Sequence, residues 1–290
     1  VPHAHRLQKC CATIAFALAS IPLISYIPTA HSQPPQRNPP PLTYRAGGIE
    51  FRTLQYVDGT QFGLKGDGVA DNTNAFRAAL GKGDRTIHIA AGDYITGKLT
   101  IPGNVVLLLD PGTVIRDSGR LGPNDPLITI GSRNVYIRGR GAKVVSNRAH
   151  STSGEQRHGV FIYGADNVVI DGLESDDNSG DGFYIGGGTA DPAQNIILQN
   201  CVASNNRRQG LSITSARHVR VINCRFDHTR GTSPQFGIDL EPNHPSDFLE
   251  DINIIGAQTD ANYGGGILIV LQRLKKSSPK VTIRIEGHVS

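Results

Sequence analysis

The sequence predicts an all-β fold, a parallel solenoid capped by a short helix at its N-terminal end. A four-residue unit of glycine, apolar, variable and apolar residues recurs every 23 to 29 residues, as GVFI from 159, GFYI from 182, GLSI from 210, GIDL from 237 and GILI from 266. Between these units lies a second strand-like segment, such as NVVIDGL from 167 or HVRVINC from 218. We therefore expect two strands in each repeat.

The alternation within each unit points its apolar residues to one side and its variable residues to the other. Stacking consecutive repeats in register, about 4.8 Å apart, joins the apolar residues into one core and satisfies the backbone groups of neighbouring strands. Earlier strand-like segments fit this pattern and are expected at 86–90, 98–101, 105–109, 127–130, 135–138 and 143–145.

A capping helix is expected in GDGVADNTNAFRAAL, which starts at Gly66. Phe76, Ala79 and Leu80 fall on one face of such a helix, as an amphipathic helix requires. The helix would close the first coil against pairing with another strand edge.

This capping segment and the repeats after it resemble the pectate-lyase-like superfamily, which includes polygalacturonases, pectate lyases, mannuronan C5-epimerases and phage tailspike depolymerases. The resemblance covers roughly residues 66–285 and implies a right-handed parallel β-helix that acts on an acidic, uronate-containing polysaccharide. β-Elimination or C5-epimerisation is expected ahead of glycoside hydrolysis of the polygalacturonase type. A non-catalytic carbohydrate-binding or surface-structural β-helix is the alternative from another class.

The resemblance does not carry a complete catalytic set. The Gly-His-Gly and Arg-Ile-Lys motifs of polygalacturonases and the Asp-Pro-His-Glu motif of the epimerases are missing from this sequence. The chemistry must therefore be argued from the residues themselves, since the fold alone does not determine it.

Outward-facing residues of the recurring unit should form two rows along the solenoid. The first row is Phe161, Tyr184, Ser212, Asp239 and Leu268, and the second is Tyr163, Gly186, Thr214, Glu241 and Val270. The turns just before them add His158, Asp181, Arg207, Arg208 and Gln209. Flat rings, carboxylates and arginines are the mixture that a groove for an acidic saccharide needs.

Roles within this groove follow from side-chain chemistry. Arg208 would neutralise a uronate carboxylate while Tyr184 or His158 exchanges the neighbouring proton. The alternatives are a structural ion pair of Arg208 with the carboxylates of this region, including those of DDNSGDG, and a structural role for His158. Asp239 and Glu241 would position the sugar, or act as acid and base in hydrolysis, with a turn cap or an ion pair as their structural alternative. The candidates for substrate binding are Phe161, Tyr163, Asp181, Arg207, Gln209 and His244.

Two further clusters have modest implications. Asp176, Asp177 and Asp181 lie together in DDNSGDG and could hold Ca²⁺, although solvated turn residues are the stronger interpretation. No other cofactor is expected. Cys201 and Cys224 occupy matching positions in consecutive second strands, where ladder packing is favoured over a disulfide.

Composition and the N-terminal segment suggest where the protein works. The formal net charge of +4 mildly favours polyanionic ligands, and no basic run with interleaved aromatic residues indicates nucleic-acid binding. Residues 1–32 are expected to be a signal peptide, 33–45 a proline-rich linker and 46–290 the β-helix domain. The protein would be secreted or periplasmic, without membrane attachment once the signal is cleaved.

Export can be checked directly. If residues 1–32 are a signal, mass spectrometry of the exported protein should find a chain that starts near Gln33. Retention of the apolar stretch at residues 12–27 would instead support an uncleaved membrane anchor.

Overall fold

A computed structural model describes residues 41–150 and 155–290, so the predicted signal peptide and most of the predicted linker lie outside the described residues. One helix, α1, spans Thr73–Leu80, and short 3-10 turns span Gly59–Phe62 and Arg148–His150. The strands are β1 Leu42–Ala46, β2 Ile49–Thr53, β3 Gln55–Asp58, β4 Asp67–Asp71, β5 Arg85–Ile89, β6 Gly92–Thr96, β7 Leu99–Ile101, β8 Val105–Leu109, β9 Thr113–Asp117, β10 Ile128–Ile130, β11 Arg133–Arg138, β12 Lys143–Val145, β13 Val160–Tyr163, β14 Asp166–Asp171, β15 Glu174–Asp176, β16 Phe183–Gly186, β17 Ala193–Gln199, β18 Val202–Ser204, β19 Leu211–Ile213, β20 Ala216–Ile222, β21 Arg225–Asp227, β22 Phe236–Leu240, β23 Leu249–Ile255, β24 Gln258–Asp260, β25 Gly265–Ile269 and β26 Ile283–Glu286.

Three parallel sheets make the solenoid that the sequence predicts. Sheet 1 contains β7, β10, β13, β16, β19, β22 and β25. Sheet 2 contains β3, β5, β8, β11, β14, β17, β20, β23 and β26. Sheet 3 contains β4, β6, β9, β12, β15, β18, β21 and β24. From β7 to β24 the chain passes through all three sheets in each coil, so strand neighbours come from consecutive coils.

The expectation of two strands per repeat was wrong, because every full coil has a third strand in sheet 3. Its members in the repeat region, such as β18 and β21, contain only three residues. So short a segment does not show the alternation that identified the others. The six earlier strands lie within two residues of the predicted bounds.

The inward residues of sheet 1 form the predicted apolar column. Phe183 pairs with Leu211, which pairs with Ile238, and all three side chains are fully buried. The equivalent residues of sheets 2 and 3 complete one continuous core. Cys201 and Cys224 are buried free thiols stacked in this core, as predicted, with the backbone N–H of Cys201 3.4 Å from Sγ of Cys224.

Helix α1 closes the N-terminal end of the core, as expected. Phe76, Ala79 and Leu80 are buried, and the Phe76 ring meets the Tyr94 ring edge-on with centroids 6.0 Å apart. Buried Asn72 immediately precedes the helix, and its side-chain amide bonds the backbone of Lys65. Among the described residues, no helix is long and apolar enough to cross a membrane.

An antiparallel hairpin of β1 and β2 covers part of the outer face of sheet 2. Phe51 is buried there and stacks on Tyr136 with ring centroids 5.4 Å apart. Beneath the hairpin, outward-facing Val106, Val169 and Ile197 are buried as well. Residues 42–45, which the sequence analysis places in the linker, therefore lie in β1.

The coil register predicts a position-dependent response to a buried charge. Ile238→Asp should lower the free energy of unfolding by several kcal/mol, because it leaves an unpaired carboxylate in the core. Ile269→Asp is the matched control, since it lies on the adjacent strand β25 but is 42% exposed, whereas Ile238 is 0% exposed. Equal losses in denaturant unfolding of the two variants would contradict this register.

Candidate functional site

Both predicted outward rows are present on sheet 1. Phe161 pairs with Tyr184, and Ser212 lies between Tyr184 and Asp239 in the register. In the second row the backbone N–H of Glu241 donates to the carbonyl of Ile213, which continues the ladder beyond the strand end. The rows therefore run along three to four consecutive coils of one sheet face.

The outward rows border a small cavity of about 120 Å³. This volume is below the range of typical small-molecule sites, so the cavity admits a substituent of a ligand rather than an entire oligosaccharide. The loops after β16 and β22 meet through a 2.8 Å hydrogen bond between the hydroxyls of Thr189 and Ser246, neither of which lines the cavity. The residues that line the cavity are Glu155, Gln156, Tyr184, Arg208, Ser212, Thr214, Asp239, Glu241 and Asn243.

Asp239 is the most perturbed group of the cavity. It is 2% exposed, and burial, reinforced by the negative charge of Glu241, raises its pKa to about 7. Arg208 acts in the opposite direction without offsetting the burial. The Oδ1 atom of Asp239 has no hydrogen-bond partner among the described residues. Asp239 can therefore carry a proton near neutral pH.

Gln209 fixes the orientation of this carboxyl group. Its Oε1 accepts a 2.7 Å hydrogen bond from the backbone N–H of Phe236, so its amide nitrogen must face the other way. That nitrogen donates to Oδ2 of Asp239 at 2.9 Å. Ser212 lies on β19 and pairs with Asp239 in the register. Its buried hydroxyl also has no hydrogen-bond partner among the described residues. Two neighbouring buried polar atoms beside the cavity thus have no hydrogen-bond partner within the described residues.

Arg208 is already engaged by other carboxylates. One terminal nitrogen of Arg208 lies 3.3 Å from Oδ2 of Asp181, and Asp181 is fully buried. The Nε of Arg208 lies 3.5 Å from a carboxylate oxygen of Glu155. Removing Arg208 from Asp181 would leave a buried charge unpaired, which is strongly destabilising. This pairing gives no support to the predicted role of Arg208 as the group that neutralises a uronate carboxylate.

His158 belongs to an aromatic stack. Its ring is fully buried, with centroids 5.6 Å from Phe161 and 4.8 Å from Tyr184. Nδ1 accepts a hydrogen bond from the backbone N–H of Asp181 at 3.1 Å, which leaves the proton on Nε2, 3.1 Å from Gln156. Burial lowers the pKa of His158 to about 4. The nearby Asp181 carboxylate therefore faces a neutral ring, and this position does not support the predicted acid or base role.

The aromatic residues of the rows differ in access. The Tyr184 hydroxyl shares a 2.9 Å hydrogen bond with Thr214, and burial raises the pKa of Tyr184, which opposes its action as a base. Tyr163 is 44% exposed and stacks on Phe161 with centroids 5.3 Å apart. The exposed Tyr163 ring is the surface on which a sugar can lie.

The other predicted binding residues lie in turns beside the rows. The half-buried Arg207 anchors one turn through its backbone N–H, which donates to the carbonyl of Asn178 at 2.9 Å, and it does not line the cavity. His244 is exposed, and its turn is capped by Asp247, whose Oδ2 accepts 2.8 Å hydrogen bonds from the backbone N–H groups of Asn243 and His244. Asp247 thus has the capping role considered for Asp239 or Glu241.

The aspartates of DDNSGDG do not converge on one point. Asp176 accepts from Asn205 at 3.0 Å, Asp177 lies 4.0 Å from Arg148, and Asp181 pairs with Arg208. In the described ranges 41–150 and 155–290, no group of three or more His, Cys, Asp or Glu residues is arranged to hold a metal ion.

Comparisons with known proteins agree with this architecture. A family model described as a right-handed β-helix region matches residues 133–282. The chain is 25% identical over 236 residues to the uncharacterized protein YclG of Bacillus subtilis, which covers 68% of this chain and 40% of YclG. It is 23% identical over 279 residues to the pre-neck appendage protein of Bacillus phage phi29, with 85% of this chain and 32% of that protein covered. The chain thus spans less than half the length of either relative.

Solved structures share the fold. Pre-mature gene product 12 of phage phi29 superimposes with a TM-score of 0.66 at 20% identity, covering 80% of this chain and 33% of that one. The exopolygalacturonase of Thermotoga maritima superimposes with a TM-score of 0.61 at 15% identity, covering 80% of this chain and 67% of that one. At these identities the likeness concerns the fold alone.

The raised pKa of Asp239 predicts a pH-dependent stability. Because the pKa rises from 3.8 to about 7 on folding, the contribution of this group is fully present below pH 3.8 and is lost as the pH rises through about 7. Between these limits the free energy of unfolding should fall by about 2 to 4 kcal/mol relative to Asp239→Asn, which keeps the acceptor for Gln209. Denaturant unfolding across pH measures this. Parallel curves for the two proteins would contradict the assignment.

Proposed function

Because the chain belongs to the right-handed β-helix family, we propose that the outer face of sheet 1 binds an acidic polysaccharide and that Asp239 and Glu241 hydrolyse a glycosidic bond in it. The observation that carries this proposal is the buried Asp239 carboxyl, with its pKa raised to about 7, beside a second carboxylate in one cavity. Two carboxyl groups in different environments are the usual requirement for this reaction.

The proposed reaction assigns one proton transfer to each group. Asp239 donates its proton to the glycosidic oxygen as the bond from that oxygen to the anomeric carbon breaks. Glu241 accepts a proton from the water whose oxygen bonds to the anomeric carbon. Tyr163 offers an exposed ring beside the cavity for a neighbouring sugar. Gln209 holds Asp239 in place and does not itself contact the reacting atoms.

The pairing of Arg208 changes the order of preference that the sequence suggests. β-Elimination and C5-epimerisation need a cation free to stabilise the charge that develops beside a uronate carboxylate. Arg208, the candidate for that role, lies 3.3 Å from buried Asp181. Hydrolysis needs only the two carboxyl groups, so this geometry favours it. The shared fold with an exopolygalacturonase is compatible with a uronate-containing substrate.

A non-catalytic carbohydrate-binding β-helix is the second candidate. The small volume of the cavity and the similarity to a phage pre-neck appendage protein favour it. In that case the outward rows would hold a saccharide, and the raised pKa of Asp239 would reflect only burial.

Substitution of the two carboxyl groups distinguishes these functions. Asp239→Asn and Glu241→Gln should each reduce the release of reducing ends from polygalacturonate or another uronate polymer by about 10²- to 10⁴-fold. The activity of the natural chain should also decline above about pH 7, as Asp239 loses its proton. Asp260→Asn, at an exposed position on sheet 3, is the matched control and should keep full activity.

The products identify the reaction. Reducing ends without ultraviolet absorbance from an unsaturated uronate are expected. An unsaturated product, lost in Arg208→Ala, would contradict hydrolysis and restore β-elimination. Saccharide binding without any product across a panel of acidic and neutral polymers would support the non-catalytic function.

A further inference from the structure

A second, larger cavity lies on a different face, where the β1–β2 hairpin meets sheet 2. Its volume is about 580 Å³, within the range of sites for small molecules. Three arginines line it, Arg45 from the hairpin, Arg138 from β11 and Arg140 from the turn after β11. Asp110 and Asp171 are the carboxylates on its wall. The positive charge of the wall therefore exceeds the negative charge by one.

Arg45 donates to Glu50, outside the cavity wall, at 3.0 and 3.2 Å, so the excess positive charge can be assigned to Arg138. Asp171 is its register neighbour on β14, but one oxygen of Asp171 accepts hydrogen bonds from Arg140 at 2.8 and 3.0 Å and the other accepts from Asn200 at 2.9 Å. Asp110 accepts a 2.9 Å hydrogen bond from His88, if Nε2 of that ring carries the proton. The side chain of Arg138 is exposed and makes no hydrogen bond or ion pair with the described residues.

Neutral polar groups beside Arg138 are also available. The Tyr136 hydroxyl and the Gln199 side-chain amide line the same cavity and make no hydrogen bond within the described chain. The exposed Pro111 adds apolar surface to the wall. A guanidinium binds a carboxylate through two parallel hydrogen bonds, while a phenol and an amide suit hydroxyl groups. The Pro111 ring suits the face of a sugar ring.

We propose that this cavity is a second saccharide site, in which Arg138 binds the carboxylate of an acidic sugar residue and Tyr136 and Gln199 bind its hydroxyls. The site lies on sheet 2 and does not share a residue with the cavity of sheet 1. This proposal goes beyond the proposed function, because the sheet 2 cavity can bind an acidic saccharide even if Asp239 does not catalyse hydrolysis.

Trigalacturonate is a suitable probe, with maltotriose as the neutral control. In isothermal titration, Arg138→Gln should weaken trigalacturonate binding by at least about tenfold, since a hydrogen-bonded charge pair is lost. Arg133→Gln is the matched control, because Arg133 is an exposed arginine on the same strand and lines a different cavity. It should bind as the natural chain does. Maltotriose should bind weakly to all three proteins.

Hydrogen–deuterium exchange separates this site from sheet 1. Trigalacturonate should slow exchange in residues 44–52 and 136–140 of the natural chain and of Asp239→Asn, but not of Arg138→Gln. Equal protection in Arg138→Gln, equal binding of maltotriose, or complete displacement by equimolar inorganic phosphate would overturn the proposal. Because Arg138 does not line the sheet 1 cavity, Arg138→Gln should still cleave a saturating polymer with the kcat of the natural chain, so failure of this site is distinguishable from failure of the proposed hydrolysis.

Discussion

Hydrogen bonding between successive coils in register is the constraint on which the rest of the structure depends. It holds each residue over its counterpart in the next coil at about 4.8 Å, so every position of the repeat becomes a column. The turns obey it as well as the strands. Asn134 and Asn167 both have left-handed backbone conformations, and the amide of Asn167 donates to Asn134 at 3.2 Å. A residue type that fits one position of a coil therefore also fits the equivalent position of the next coil.

The same constraint creates the electrostatics of the sheet 1 cavity. Stacking brings Asp181, Asp239 and Glu241 into neighbouring coils, with Arg208 as the cation that pairs with Asp181. The fully buried Asp181 takes that pairing, because its charge has the least access to water. Asp239 is then left to reduce the repulsion by binding a proton. Its raised pKa follows first from its own burial and then from the charge of Glu241, which Arg208, held at Asp181, does not offset.

The sequence was sufficient for the repeating strands of sheets 1 and 2, whereas the three-residue strands of sheet 3 were missed although they repeat as well. Glycine-led units with alternating apolar residues predicted the coil register, the core column of Ile238 and the outward rows through Asp239. The features that do not repeat were missed or misjudged. The hairpin is not part of the repeat, and its docking depends on the outward residues of sheet 2 being apolar, as at Val169 and Ile197. The burial of His158 depends on its stacking with Phe161 and Tyr184, which belong to two successive coils.

The repeat pattern did not fix the partners of charged turn residues, although an ion pair of Arg208 with the carboxylates of DDNSGDG was one of the alternatives. Arg208 and Asp181 lie 27 residues apart, and their 3.3 Å approach follows only once the coils are stacked. The cap at Asn243 was a correct possibility assigned to the wrong carboxylate, because Asp247 closes that turn from its own C-terminal side. Alternation identifies which face a strand residue occupies, whereas it contains no information on where a turn residue points.

The outer faces of sheets 1 and 2 differ in polarity. The outer face of sheet 1 consists of polar and aromatic residues, of which Tyr163 is exposed and Asp239 is buried, while the apolar outer face of sheet 2 requires a cover, which the hairpin provides. The cavity lined by Arg138 lies at the edge of the hairpin. Arg138 and Asp239 are separated by four coils, or about 19 Å along the axis at about 4.8 Å per coil. A ligand that occupies both sites at once must therefore be an extended polymer, since a single sugar residue cannot span that distance.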